Sequence, residues 1–111
     1  MSNNIKIIKE LKKDGHSIFV YQLSCSDGSS ATISNYGCTL MKLLLNDKNG
    51  NLRDIVLGFD TIEEYFEEYY QENYPYFGTV IGRYANRIKG GLFKLDNTIV
   101  HLNFFQLHKT P

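Results

Sequence analysis

The 111 residues carry twelve basic and twelve acidic side chains, so the formal net charge is zero. That balance argues against a dedicated nucleic-acid or anionic-membrane binder, both of which run to a basic excess. The length suits one domain or part of one, and 42% hydrophobic with 22% charged residues is the composition of an ordinary globular protein rather than a disordered chain.

Ile5, Ile7 and Glu10 bracket an extended start, and Asp14-Gly15 is a hairpin dipeptide because both residues tolerate positive φ. From Ser17 to Leu23 strand formers dominate, with Phe19, Tyr21 and Leu23 on one face. A turn at Asp27-Gly28 leads to Ala31-Thr32-Ile33 and then to Asn35-Tyr36-Gly37. Cys38 to Leu45 is apolar except for Lys42, and its length predicts a strand buried on both faces. A polar turn containing Asn49-Gly50 precedes Asp54 to Gly58, read as another short strand.

The period then changes. Ile62, Tyr65, Phe66 and Tyr69 fall at helical spacing and predict one short helix near Thr61 to Tyr70, with those four residues on its inner face. Thr61 and Glu64 have capping-box spacing. Glu63, Glu64, Glu67 and Glu68 are read as the solvated side of that helix rather than as metal ligands, because no histidine lies near them. Asn73 to Gly78 is an aromatic loop in which Pro75 is expected to hold Tyr74 extended. Leu92 to Leu95, turned by Asp96-Asn97 into Thr98 to Leu102, reads as a hairpin. The pattern as a whole is all-β and antiparallel with one short helix.

No run approaches the roughly 20 apolar residues of a membrane span, and Met-Ser-Asn-Asn followed by alternating Ile and Lys lacks the apolar core of a secretory signal. Cys25 and Cys38 form no Cys-x-x-Cys pair, so reduced thiols in a cytoplasmic protein are expected. Fifteen aromatic residues, eight Tyr and seven Phe, fit either a β-rich core or a carbohydrate-facing surface, and the core reading is preferred. Phosphate-binding loops, dinucleotide fingerprints, zinc-protease helices and serine nucleophile elbows are all missing. His16, His101 and His108 share no metal-ligand spacing, and no metal site is assigned. The stretch Gly82-Arg83-Tyr84-Ala85-Asn86-Arg87-Ile88 stands out. Its Asn-Arg pair offers amide and guanidinium donors suited to vicinal sugar hydroxyls or a carboxylate. The plainer alternative is an arginine that caps backbone carbonyls or pairs with a nearby glutamate.

Three stretches in order, Asn35 to Leu40, Asp54 to Asp60 with Tyr65, and Tyr76 to Ile88, together resemble the N-terminal part of the aldose 1-epimerases, the galactose mutarotases. Phe93-Lys94-Leu95-Asp96 continues the pattern, with Asn97 where the family usually has glycine. The resemblance implies part of a large antiparallel β-sandwich that binds a free hexose such as galactose or glucose. It implies interconversion of the α and β anomers by a general base at the anomeric hydroxyl and a general acid at the ring oxygen, with no metal or organic cofactor. The family's base and acid lie further along the chain than residue 111, so residues 1–111 are expected to be a truncated N-terminal part of one sandwich domain, inactive alone. Family members use the positions of Asn86 and Arg87 to contact sugar oxygens, whereas Arg83 is expected to buttress the loop. A later Leu-His-Gly-Gly motif supplies a further sugar ligand. Leu107-His108 arrives about four residues early for it and lacks both glycines. His108 is carried as a candidate ligand, and the altered tail is read as a frame slip or truncation near residue 103. A non-catalytic sugar-binding or degenerate remnant is the competing reading. A hexose-6-phosphate epimerase would need added basic residues that this neutral stretch does not display.

Overall fold

In the computed structural model, which describes residues 4–102, strand-forming runs and turn dipeptides assemble a five-stranded antiparallel meander. The strands are β1 (Asn4–Lys13), β2 (His16–Ser24), β3 (Ser30–Ser34), β4 (Thr39–Asn46) and β5 (Leu52–Asp54), each paired with the next. Asp14 at φ 50° and Gly15 at φ 79° make the two-residue turn expected of Asp-Gly, and Lys13 pairs with His16 across it. Gly28 and Gly50 turn the chain at φ 88° and 80°.

All six buried sheet residues, Ile18, Val20, Thr32, Ser34, Thr39 and Met41, lie on the same side. Ile62, Tyr65 and Tyr70 from the following segment pack with the apolar ones of these in a single buried cluster. Phe59 meets Tyr65, Tyr70 and Phe77 with ring centroids 5.0, 5.3 and 5.9 Å apart, and Tyr36 meets Phe66 edge-on at 4.8 Å. These aromatic residues therefore build core. The opposite side carries Phe19, Tyr21, Leu23, Ala31 and Ile33, joined at the β1 edge by Ile5 and Ile7, and none of them is buried. Burial of β4 on both faces is corrected accordingly: Thr39 and Met41 are buried, Leu40, Leu43 and Leu44 are half-buried, and Leu45 is exposed.

Three further expectations need correcting. The strand read at Asp54 to Gly58 ends at Asp54, whose carboxylate accepts from the Leu43 and Val56 backbone N–H groups at 3.1 and 3.2 Å and so diverts the ladder. The helix comes in two pieces, a 3₁₀ stretch at Ile62–Phe66 and α1 at Glu68–Asn73, separated by Glu67 in an extended conformation (φ −61°, ψ 142°). That break resets the phase: Tyr70, not Tyr69, turns inward, and Tyr69 is 54% exposed. The capping spacing does hold, since the Glu64 carboxylate accepts from both the N–H and the hydroxyl of Thr61 at 3.0 Å. Tyr74 is left-handed (φ 30°) rather than extended, because it closes α1 by donating its N–H to the Tyr70 carbonyl at 2.7 Å.

The chain divides after Ile81 into a second unit that begins at Gly82. Its described part holds β6 (Leu92–Leu95) and β7 (Thr98–His101), an antiparallel hairpin turned at Asp96-Asn97 as the sequence predicts, with Asp96 at φ 52°. Among the described residues no helix is long and apolar enough to cross a membrane.

Candidate functional site

Asn86 and Arg87 lie on the loop that opens the second unit, where Gly82 through Arg87 are all exposed and Ile88 is half-buried. Below the loop the Ile88 carbonyl accepts from Gly91 N–H at 3.0 Å, and Gly91 in turn accepts from Leu102 N–H at 2.8 Å, which ties the loop to the base of the hairpin. Gly90 and Gly91, at φ 64° and 62°, allow this tight connection.

Asn86 adopts the left-handed backbone (φ 64°) that Asn tolerates better than other side-chain-bearing residues. Its Oδ1 accepts from the Arg87 N–H at 2.8 Å, locking the pair locally. This leaves the Asn86 amide group as a donor, while the Arg87 guanidinium forms no ion pair with any carboxylate among the described residues. Arg83 is equally exposed and likewise makes no ion pair among the described residues. The loop thus presents an amide and a guanidinium as planar donors, suited to oxygen acceptors on a small ligand. His108 lies outside the described residues, and His101 sits exposed on β7 opposite Leu92.

The first unit carries a separate open depression of about 410 Å³ beside the β1–β2 turn, walled in part by Lys13, His16, Asn35 and Tyr36. Most of its polar groups are already engaged. Asn35 accepts from Phe19 N–H at 2.8 Å and donates to the Ser17 carbonyl at 3.1 Å. Lys13 pairs with Asp14 at 3.2 Å and lies 5.0 Å over the Phe66 ring. The Tyr36 hydroxyl accepts from Gln71 at 3.4 Å. Asn35 to Leu40 is therefore architectural in this unit: it joins β3 to β4 and props β2. The glutamates have individual tasks too. Glu63 pairs with Lys9, which holds its carboxyl below the usual range, and Glu64 caps the 3₁₀ stretch.

Comparison with known proteins gives these features a lineage. The family model described as aldose 1-epimerase matches residues 20–111. The chain belongs to that family. Galactose mutarotase from Homo sapiens is 41% identical over 96 residues, covering 86% of this chain and 26% of the relative. A probable aldose 1-epimerase from Arthroderma benhamiae is 35% identical over 91 residues, covering 82% and 20%. Among solved structures, galactose 1-epimerase from Lactobacillus acidophilus NCFM superposes with a TM-score of 0.69 at 28% identity, covering 92% of this chain and 28% of that one. This chain thus spans about a quarter of the length of these relatives, and its antiparallel, strand-dominated fold agrees with that of the solved structure. The matched region contains Asn86 and Arg87.

Proposed function

We propose that this chain is the N-terminal, sugar-orienting part of an aldose 1-epimerase that interconverts the α and β anomers of a free hexose such as galactose or glucose. The observation that carries this reading is the Asn86–Arg87 pair, joined by a hydrogen bond from the Arg87 backbone N–H to Asn86 Oδ1 and exposed on its loop, with the side-chain donors unpaired among the described residues. A planar guanidinium orients vicinal oxygens without competing for the protons in transfer, because it stays charged at every accessible pH. The Asn86 amide adds a second, neutral donor. Anomer exchange then needs a base to take the anomeric proton and an acid to protonate the ring oxygen, and we assign both to polypeptide beyond residue 111. Two exposed free cysteines, Cys25 and Cys38, suit a reducing cytoplasmic setting.

Polarimetry of freshly dissolved α-galactose tests this. A polypeptide that continues this chain through the remaining length of its relatives is expected to accelerate mutarotation, and Arg87→Ala in it to lower turnover about ten- to a thousandfold, the equivalent of roughly 1.5–4 kcal/mol of charge-assisted hydrogen bonding. The 111-residue chain alone is expected to match buffer. Parental turnover by the Arg87→Ala protein would remove the residue from the site, and sugar binding without turnover by the longer polypeptide would favour the non-catalytic reading.

A further inference from the structure

We infer that the 111-residue chain carries a site of spontaneous covalent modification at Asn49-Gly50, where a free carboxamide and an uncrowded backbone nitrogen share the tip of the β4–β5 turn. No other asparagine in the sequence precedes a glycine. Lys48 to Asn51 are all exposed. The Asn49 side chain makes no hydrogen bond among the described residues, and only its backbone N–H is engaged, donating to Asp47 Oδ1 at 2.8 Å. Space is open beside Gly50, where an added Cβ would meet nothing within 4 Å. Its nitrogen can therefore be approached with no side chain in the way.

The chemistry is deamidation. The Gly50 amide gives its proton to a base in the solvent, and the nitrogen attacks Asn49 Cγ. The new N–Cγ bond closes a succinimide ring as the Cγ–Nδ2 bond breaks, and the departing nitrogen takes up a proton to leave as ammonia. Water then opens the ring at one of its two carbonyls. The net change consumes one water and releases one ammonia, leaving an aspartyl or an isoaspartyl linkage. Either product adds a negative charge to a chain whose formal net charge is zero.

The fold restrains this site lightly and its competitors more. The Gly50 N–H donates to the Asp47 carbonyl at 2.9 Å, an exposed bond that opens locally. Its net worth should slow ring closure about two- to tenfold relative to a free peptide. No member of the buried cluster lies in this turn or in β5, so the turn can open while the core stays packed. By contrast, Asn35, Asn46 and Asn73 donate their carboxamides to the carbonyls of Ser17, Asp27 and Tyr69. An isoaspartyl linkage lengthens the main chain inside the loop that Asp47 closes by accepting from Asn49 and Asn51. The Asn46–Leu52 end of the β4–β5 ladder should loosen as a result.

Incubation of the purified chain in mildly alkaline buffer at body temperature, followed by peptide mass spectrometry, provides the test. The peptide containing Asn49 is expected to gain about 1 Da and to resolve into aspartyl and isoaspartyl forms. It should convert at least about tenfold faster than any other asparagine, since only there does the attacking nitrogen belong to a glycine. Gly50→Ala, with far-UV circular dichroism to check folding, should slow conversion by about tenfold or more. Asn49→Gln, which leaves the turn glycine in place, should keep this peptide at its starting mass. A free peptide spanning Leu45 to Ile55 supplies the clock. Starting mass at Asn49 after that peptide has converted, faster conversion at another asparagine, or an undiminished rate in either folded variant would each overturn the inference.

Discussion

Gly78 shows how much one missing side chain can carry. It sits at φ 64° and its carbonyl accepts from Leu40 N–H at 2.9 Å, so the aromatic loop runs directly beside the start of β4. A Cβ there would overlap the Leu40 carbonyl oxygen, whereas one at Gly50, also left-handed at φ 80°, would meet open space. Gly50→Ala is therefore expected to cost about 1–2 kcal/mol from backbone strain alone. Gly78→Ala should cost about 2 kcal/mol more, because the loop must also retreat from β4. Urea unfolding of the two variants isolates the contact, and equal losses would show that the close approach is not needed. Tyr74, four residues earlier, supplies a pH signal. Burial, reinforced by Tyr36, pushes its phenol up to about 12. The unfolded phenol ionises near 10, so between pH 10 and 12 the unfolded chain releases a proton that the folded one keeps. Stability present below pH 10 should fall across that window. Absorbance titration of the phenolates should show a late component, to which the buried Tyr65 and Tyr70 also contribute, and Tyr74→Phe should shrink it by one group; an unchanged late component would place the ionisation elsewhere.

At the scale of elements, the helical segment separates what pattern reading can recover from what it cannot. Apolar spacing located Ile62 and Tyr65, each 1% exposed, and the Thr61–Glu64 cap. It then carried the same phase through Glu67 to Tyr69. The break arises because Glu67 is extended and its carbonyl accepts from both Tyr70 and Gln71, starting a new turn one residue out of step. Nothing local in Glu67-Glu68 announces this; it is imposed by the ring of Tyr70, which packs against Phe59, Tyr65 and Phe77, with its hydroxyl accepting from Phe77 N–H at 3.0 Å. Tyr70→Ala should accordingly cost about 3–5 kcal/mol, as for other large buried rings. Tyr69→Ala should stay within about 0.5 kcal/mol. The reverse ranking in thermal unfolding would restore one continuous helix. The hairpin turns at Asp14-Gly15 and Asp96-Asn97 were legible because turn chemistry is local. The early end of β5 was not, since it depends on the Asp54 carboxylate meeting Leu43 eleven residues away. The candidate site divides similarly. Asn86 and Arg87 could be picked out as a donor pair, but the left-handed turn and the hydrogen bond that fix them have no periodic signature.

For the molecule as a whole, the two units differ sharply in how much apolar surface they enclose. The first buries Ile18, Val20, Met41, Ile62, Tyr65 and Tyr70 in one cluster. In the second, all of β6 and three of the four β7 residues are exposed, with only Val100 half-buried. A two-stranded hairpin without a covered face is marginal in water, because its few ladder bonds barely offset the ordering of its backbone. The loop bearing Asn86 and Arg87 is anchored at the base of that hairpin through Gly91 and Leu102. A sugar contact held by such an element lacks the rigid support that precise orientation of a substrate demands. Hydrogen exchange on the 111-residue chain should therefore find the central amides of β2 and β3 protected by about a thousandfold or more, while amides of β6 and β7 exchange within about tenfold of an unstructured peptide. In a longer polypeptide that turns over sugar, the same hairpin should become protected together with the loop, since a site that orients substrate must be fixed before the sugar arrives. Strong protection of β6 and β7 in the isolated chain would show that this hairpin needs no further support.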